Sequence, residues 1–279
     1  MRRRDLLGGL TATAFARNRL DEAAALIDKF IKSGEVFAAA LLVRRQGRVA
    51  KEITPRTVFL LASITKPMTA AGVMLLRDRG ALSLEDPVRK FIPEFTGGDR
   101  DLITVKHVLT HTSGLPDMLP ENTELRRRHA PLKDFVAGTC RTPLLFKPGA
   151  QVKYQSMGIL LAAEIAERVT RSPFRDFLRQ ELFTPLGMSQ TSLGLGGRRI
   201  ADTAKCQVPE SSDWDWNSPY WRDLGCPWGG AHSTVGDVAR FLEEFVQPRL
   251  LKPETAREMI ANQTGLSDRW GLGWMIKPS

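Results

Sequence analysis

The stretch from Ser63 to Leu76 restricts this chain more than any other. Met68, Ala71, Val73, Met74 and Leu75 recur at helical spacing and give a helix an apolar wall, so the segment must be packed against a core. Pro67 is tolerable only in the first turn, and Gly80 supplies a stop. The helix therefore opens at Ser63-Ile64-Thr65-Lys66. Residues three apart share a helix face, which sets Lys66 beside Ser63. A serine hydroxyl is a weak nucleophile at neutral pH and needs a base within hydrogen-bond reach. A lysine in a dry pocket can lose its proton and act as that base. The bland alternative is an N-capping serine followed by a surface lysine, and the tetrad alone does not decide between the two.

Composition narrows the class of protein. The 279 residues are 42% hydrophobic and 25% charged, enough for one large core or two modest ones, with no internal repeat or low-complexity tract. No apolar run reaches the length needed to span a bilayer. The net charge of +9 is spread along the chain. Its densest run, Arg126-Arg127-Arg128-His129, lacks interleaved aromatics and reads as a solvated helix face or loop, not a nucleic-acid footprint. Cys140, Cys206 and Cys226 have no metal-ligand spacing, and an odd count argues against a disulfide framework. No H-E-x-x-H pair, G-x-S-x-G elbow or phosphate-binding glycine loop occurs, so neither a metal nor another cofactor is expected.

Along the chain, Met1-Arg2-Arg3-Arg4-Asp5-Leu6-Leu7 resembles a twin-arginine export signal. Ala14-Phe15-Ala16 fits a small-residue cleavage site, so residues 1–16 are expected to direct export to the periplasm or beyond. If that segment is only an untidy N-terminus, the protein is cytoplasmic. An amphipathic helix over 20–31 precedes a hairpin over Val36–Ala50, turned by Gln46-Gly47. Beyond Gly80 helices dominate. Thr104 caps one, Gly158–Val169 forms another, Ser172-Pro173 starts the next, and Thr234 with Asp237 begins one that runs through Val246. Residues 211–230 hold Trp214, Trp216, Trp221 and Trp228 among Pro, Gly, Asn and Asp, and such a loop either caps a core or lines a pocket. Trp270–Ile276 reads as a strand.

The strings Ser63-Ile64-Thr65-Lys66, His111-Thr112-Ser113-Gly114-Leu115-Pro116, Phe146-Lys147-Pro148-Gly149 with Tyr154-Gln155-Ser156, Pro185-Leu186-Gly187-Met188 and Gly229-Gly230-Ala231-His232-Ser233-Thr234 follow one another in a telling order. Together they resemble the serine β-lactamase and penicillin-binding-protein superfamily over residues 20–276. The similarity is greatest to the branch of class C β-lactamases, D-aminopeptidase and DD-peptidase relatives, and family VIII carboxylesterases. The resemblance implies an α/β (α+β) fold: an antiparallel sheet flanked by helices beside an all-helical region, here over about 86–190. The hairpin and the strand at Trp270–Ile276 would belong to that sheet. It implies that Ser63 is the acylated nucleophile and that Lys66 polarises Ser63 and depresses the pKa of Tyr154. Either Tyr154 or Lys66 would then take the serine proton. Ser156 stands where asparagine is commoner, and would orient Lys66 while offering less to a substrate amide. His111 is implied to be structural, not a catalytic base.

One family element, K-T-G or H-x-G on a further strand, has no counterpart in this sequence. Lys277 continues the preceding strand and Pro278 has no N–H to donate. The resemblance then implies a sheet incomplete at its C-terminal side, in a shortened or degenerate member. Two functions follow. One is a hydrolase forming an acyl-enzyme on Ser63 with a small-molecule ester or amide, peptidoglycan-derived substrates among them. The other is an impaired relative that binds acyl or peptidoglycan-like ligands without turnover. The tryptophan-rich loop suggests an apolar or aromatic acyl pocket.

Overall fold

A computed structural model describes residues 19–45, 48–208 and 212–276. The export-like segment, the Gln46-Gly47 turn and Lys277 lie outside the described residues. The helix α1 spans 19–32 and leads to the antiparallel pair β1 (Leu41–Arg45) and β2 (Arg48–Ile53). Next come β3 (Phe59–Leu60) and α2 (Thr65–Asp78). Then follow α3 (Val105–Leu109), α4 (Asn122–Arg127), α5 (Leu132–Arg141), α6 (Met157–Thr170) and α7 (Phe174–Leu178). The remaining elements are β4 (Ser192–Leu193), α8 (Pro219–Leu224), β5 (Ala231–Ser233), α9 (Val235–Val246) and α10 (Pro253–Met259).

The core is built on α2. Every residue from Thr65 to Leu76 except the half-buried Pro67 is buried, so the helix is enclosed all round and not along one stripe. It packs on α6, whose Ile159, Leu161, Ala162 and Ile165 are fully enclosed, and α6 in turn covers α3 and α5. Gly72 lets α2 approach α7, since a Cβ there would fall 2.6 Å from Leu178 Cδ2. Between 86 and 190 the described chain carries α3 to α7 and no named strand. Thr104 caps α3 by accepting from the His107 amide, and Thr234 caps α9 by accepting from the Asp237 amide, as their sequence positions predict.

β5 is the centre of a three-stranded antiparallel sheet in the order β3-β5-β4, with Leu60 opposite His232 and Leu193 opposite Ala231. This pairing fixes the chain immediately before Ser63, and the Leu61 amide continues it with a 2.8 Å bond to the Ala231 carbonyl. The β1–β2 hairpin forms a ladder of its own, and Arg44 ties it to Glu243 on α9.

The strand expected over Trp270–Ile276 is instead a tight reversal. Trp270 and Met275 form an isolated bridge, and the Gly271 amide bonds back to the Trp274 carbonyl at 2.9 Å. The two glycines explain the difference. A Cβ on Gly271 would sit 2.1 Å from the Met259 carbonyl oxygen, and Gly273 has φ of +72°. The backbone is pressed onto neighbouring helices: Leu272 N–H bonds to Met259 O at 2.9 Å and Gly273 N–H to Leu109 O at 2.8 Å. The expected single sheet joining hairpin and strand is therefore two separate ladders among the described residues.

Candidate active site

The turn Ala62–Ile64 lifts Ser63 clear of the core, with Ala62 at a left-handed φ of +47°. Ser63 is exposed and makes no capping bond; the N-cap of α2 is Ile64, whose side chain caps nothing. The capping alternative for Ser63 is thus excluded. Lys66, one turn on, is 3% exposed. Its Nζ lies 3.2 Å from Ser63 Oγ and donates to the Trp228 carbonyl at 2.9 Å. Burial pulls its pKa down to about 8, against the opposing pull of the Asp117 carboxylate.

Tyr154 comes from the loop before α6. Its hydroxyl donates to Ser63 Oγ at 2.7 Å, and Lys66 Nζ stands 4.6 Å from its ring centre. The expectation that Lys66 depresses the Tyr154 pKa is not met. Burial pushes the phenol upward and outweighs its bond to Ser63, so Tyr154 is a protonated donor here.

His111 holds Tyr154 in place. Its carbonyl accepts from Lys153 N–H at 2.9 Å and its Nδ1 from Gln155 N–H at 3.3 Å, so both neighbours of Tyr154 are tied to one residue. Its ring lies 5.0 Å from that of Tyr154 and meets Trp270 edge-on at 4.5 Å. Enclosure drives its pKa down to about 3, leaving a neutral imidazole with a structural role. Ser156 does not bond Lys66. Its hydroxyl donates to Asp117 Oδ1 at 2.6 Å, and its amide to the Asp117 carbonyl at 3.3 Å. Ser156 thus reaches the amine only through Asp117. Sequence reasoning passed over Asp117, although it directly follows the Gly114-Leu115-Pro116 turn, and the Trp228 carbonyl had no side-chain signal at all.

These groups open into a cleft of about 670 Å³. Besides Ser63, Lys66, His111 and Tyr154, its walls include Ile64, Val238, Phe241, Leu242, Trp270, Trp274 and Met275. The tryptophan-rich loop contributes none of its rings. Trp221 and Trp228 are buried, and the Arg126 guanidinium lies over the Trp221 ring at 3.9 Å, with Trp214 and Trp216 further out at 5.2 and 5.9 Å. Arg222, 1% exposed, binds the loop from within through Trp216 O, Ala204 O and Asn217 Oδ1. The loop caps the core, and Arg126 is part of that cap instead of a solvated face. Among the described residues no group of His, Cys, Asp and Glu is arranged to hold a metal ion, and no helix is long and apolar enough to cross a membrane.

Helices packed on a small antiparallel sheet, with a serine and lysine at the head of the central helix, define the serine β-lactamase and penicillin-binding-protein superfamily. The beta-lactamase family model matches residues 23–279, and the chain belongs to that family. It is 28% identical over 249 residues to penicillin-binding protein 4* of Bacillus subtilis, covering 82% of this chain and 54% of that protein. D-amino acid amidase of Ochrobactrum anthropi, solved with L-phenylalanine amide, superposes with a TM-score of 0.66 at 25% identity, over 79% of this chain and 67% of the amidase. EstCE1, described as a hydrolase with promiscuous acyltransferase activity, shares the fold with a TM-score of 0.79 at 19% identity, over 95% and 84% of the two chains. The chain spans about half the length of the curated relatives it matches.

Proposed function

We propose that the protein is a serine hydrolase that acylates Ser63 with a small-molecule ester or amide. The observation that carries this reading is the convergence on one exposed hydroxyl of a buried amine at 3.2 Å and a phenol at 2.7 Å. With Lys66 neutral, Ser63 gives its proton to Nζ as Oγ attacks the substrate carbonyl carbon. The bond to the leaving alcohol or amine then breaks. Tyr154 protonates that group and regains a proton from Lys66. Water attacks the acyl-enzyme by the same relay in reverse and releases the acid.

The likeness to D-amino acid amidase, at 25% identity, supports an amide among the substrates. Asp117, bonded to Ser156, keeps the amine from losing its proton too readily. The test is incubation with a fluorophosphonate, followed by peptide mass spectrometry. The reading requires an adduct on Ser63 that disappears in Ser63→Ala. An unmodified Ser63 under conditions where the fold is intact would instead support a binding protein without turnover.

A further inference from the structure

Resting on that reading, we infer that the wall contributed by α9 and residues 274–275 is an acyl subsite selecting uncharged acyl chains that end in an aromatic ring. Tyr154 serves the leaving group, and the rings beside it on the cleft wall are His111, 5.0 Å away, and Trp270, 5.9 Å away. The departing side of the substrate therefore lies along Tyr154 and Trp270, and the acyl chain runs to the remaining wall.

That wall is aromatic and preassembled. Phe241 and Trp274 lie parallel, 4° apart in plane with centres 6.0 Å apart. Phe245 backs both edge-on, at 5.3 Å from Phe241 and 4.8 Å from Trp274. Trp274 is held by the bond from Gly271 N–H to its carbonyl, and the turn carrying it by the bond from Gly273 N–H to Leu109 O. Little ordering is left to be done when a ring arrives. An incoming arene joins an existing cluster and gains over an alkyl ring of equal size through edge and offset contacts, worth roughly 2- to 10-fold in affinity. A carboxylate on the acyl chain would instead lose part of its hydration against the apolar side chains of Val238, Phe241 and the half-exposed Leu242.

The test compares p-nitrophenyl phenylacetate, cyclohexylacetate and hemisuccinate, which share a leaving group and differ in the acyl end. In each, the Ser63 Oγ–carbonyl bond forms, the bond to p-nitrophenol breaks, and the serine proton leaves through Lys66. We expect kcat/KM for phenylacetate to exceed that for cyclohexylacetate by roughly 2- to 10-fold, with the hemisuccinate slowest. Trp274→Leu, which stays apolar, should bring the phenyl-to-cyclohexyl ratio to about one; should it fail to fold, Phe241→Leu makes the same measurement. Equal rates for the two rings in the wild type, or a ratio that survives both substitutions, overturns the subsite. Binding of phenylacetamide and cyclohexylacetamide to Ser63→Ala by equilibrium dialysis reads the subsite without chemistry. If no ester acylates Ser63 yet phenylacetamide binds more tightly, the hydrolase reading fails and the aromatic subsite stands; equal binding removes the subsite whatever Ser63 does.

Discussion

At Lys66, burial and a nearby carboxylate pull in opposite directions, and burial wins. Only the neutral amine can take the Ser63 proton, and with its pKa lowered to about 8 the neutral fraction grows as pH rises through that value. Acylation measured by p-nitrophenol release should climb from pH 6 to about 8 and then level off. A profile already flat at pH 6 would take Lys66 out of the proton path. Tyr154→Phe deletes the 2.7 Å donor to Ser63 and should slow acylation roughly 10²- to 10⁴-fold, with ligand affinity of the cleft little changed. An unaltered rate would reassign Tyr154 to packing. The spacing of Ser63 and Lys66 on one helix made their pairing legible without coordinates, because helix geometry alone brings residues three apart together. The acidity of Tyr154 was not legible, since it depends on how much water the surrounding loops exclude. Nor was the true partner of Ser156, because Asp117 lies 39 residues earlier in the chain.

Among the elements, α3 and α9, which have a side-chain cap, and α6, which has a strong helical period, could be read directly. The reversal at 270–276 could not. Its alternation of Trp, Gly, Leu, Gly and Trp imitates a strand, whereas the glycines mark where backbone meets backbone of distant helices. The tryptophan-rich loop misled in the same way: composition announced an aromatic surface but not which way it faced, and Arg126 and Arg222 turn it onto the core. The reversal bears directly on the site. A Cβ on Gly273 would fall 2.4 Å from Ala70 Cβ and 3.2 Å from the Lys66 carbonyl, at a backbone angle that alanine resists. Gly273→Ala should therefore destabilise the fold by about 1–3 kcal/mol and lower ester hydrolysis, because the turn and the head of α2 must separate. Chemical denaturation and p-nitrophenyl ester turnover check this; a variant with unchanged midpoint and rate would show that the contact is loose.

The whole molecule carries two enclosed imidazoles that burial keeps neutral, His111 with its pKa lowered to about 3 and His232 to about 4. In the unfolded chain a histidine takes its proton near pH 6.5. Between that value and about 4 the unfolded state binds more protons than the folded one, so stability should fall as pH drops through this window. Melting temperatures at pH 7.5, 6, 5 and 4 should decline progressively; a flat series would mean that solvent reaches both rings. The site depends on the completed fold in another respect. The Lys66 amine and the Trp228 carbonyl it touches are 162 residues apart, and Thr65 and Thr69 are stitched to Ala231 and Pro227 across the same seam. While the chain is being synthesised, the serine and lysine emerge long before the segment that closes over them. Until it arrives the amine is an ordinary solvated ammonium and the hydroxyl has no base. The enclosure of Lys66 is thus a late event in synthesis, since it needs residues 227–231 to be made and folded back onto the head of α2.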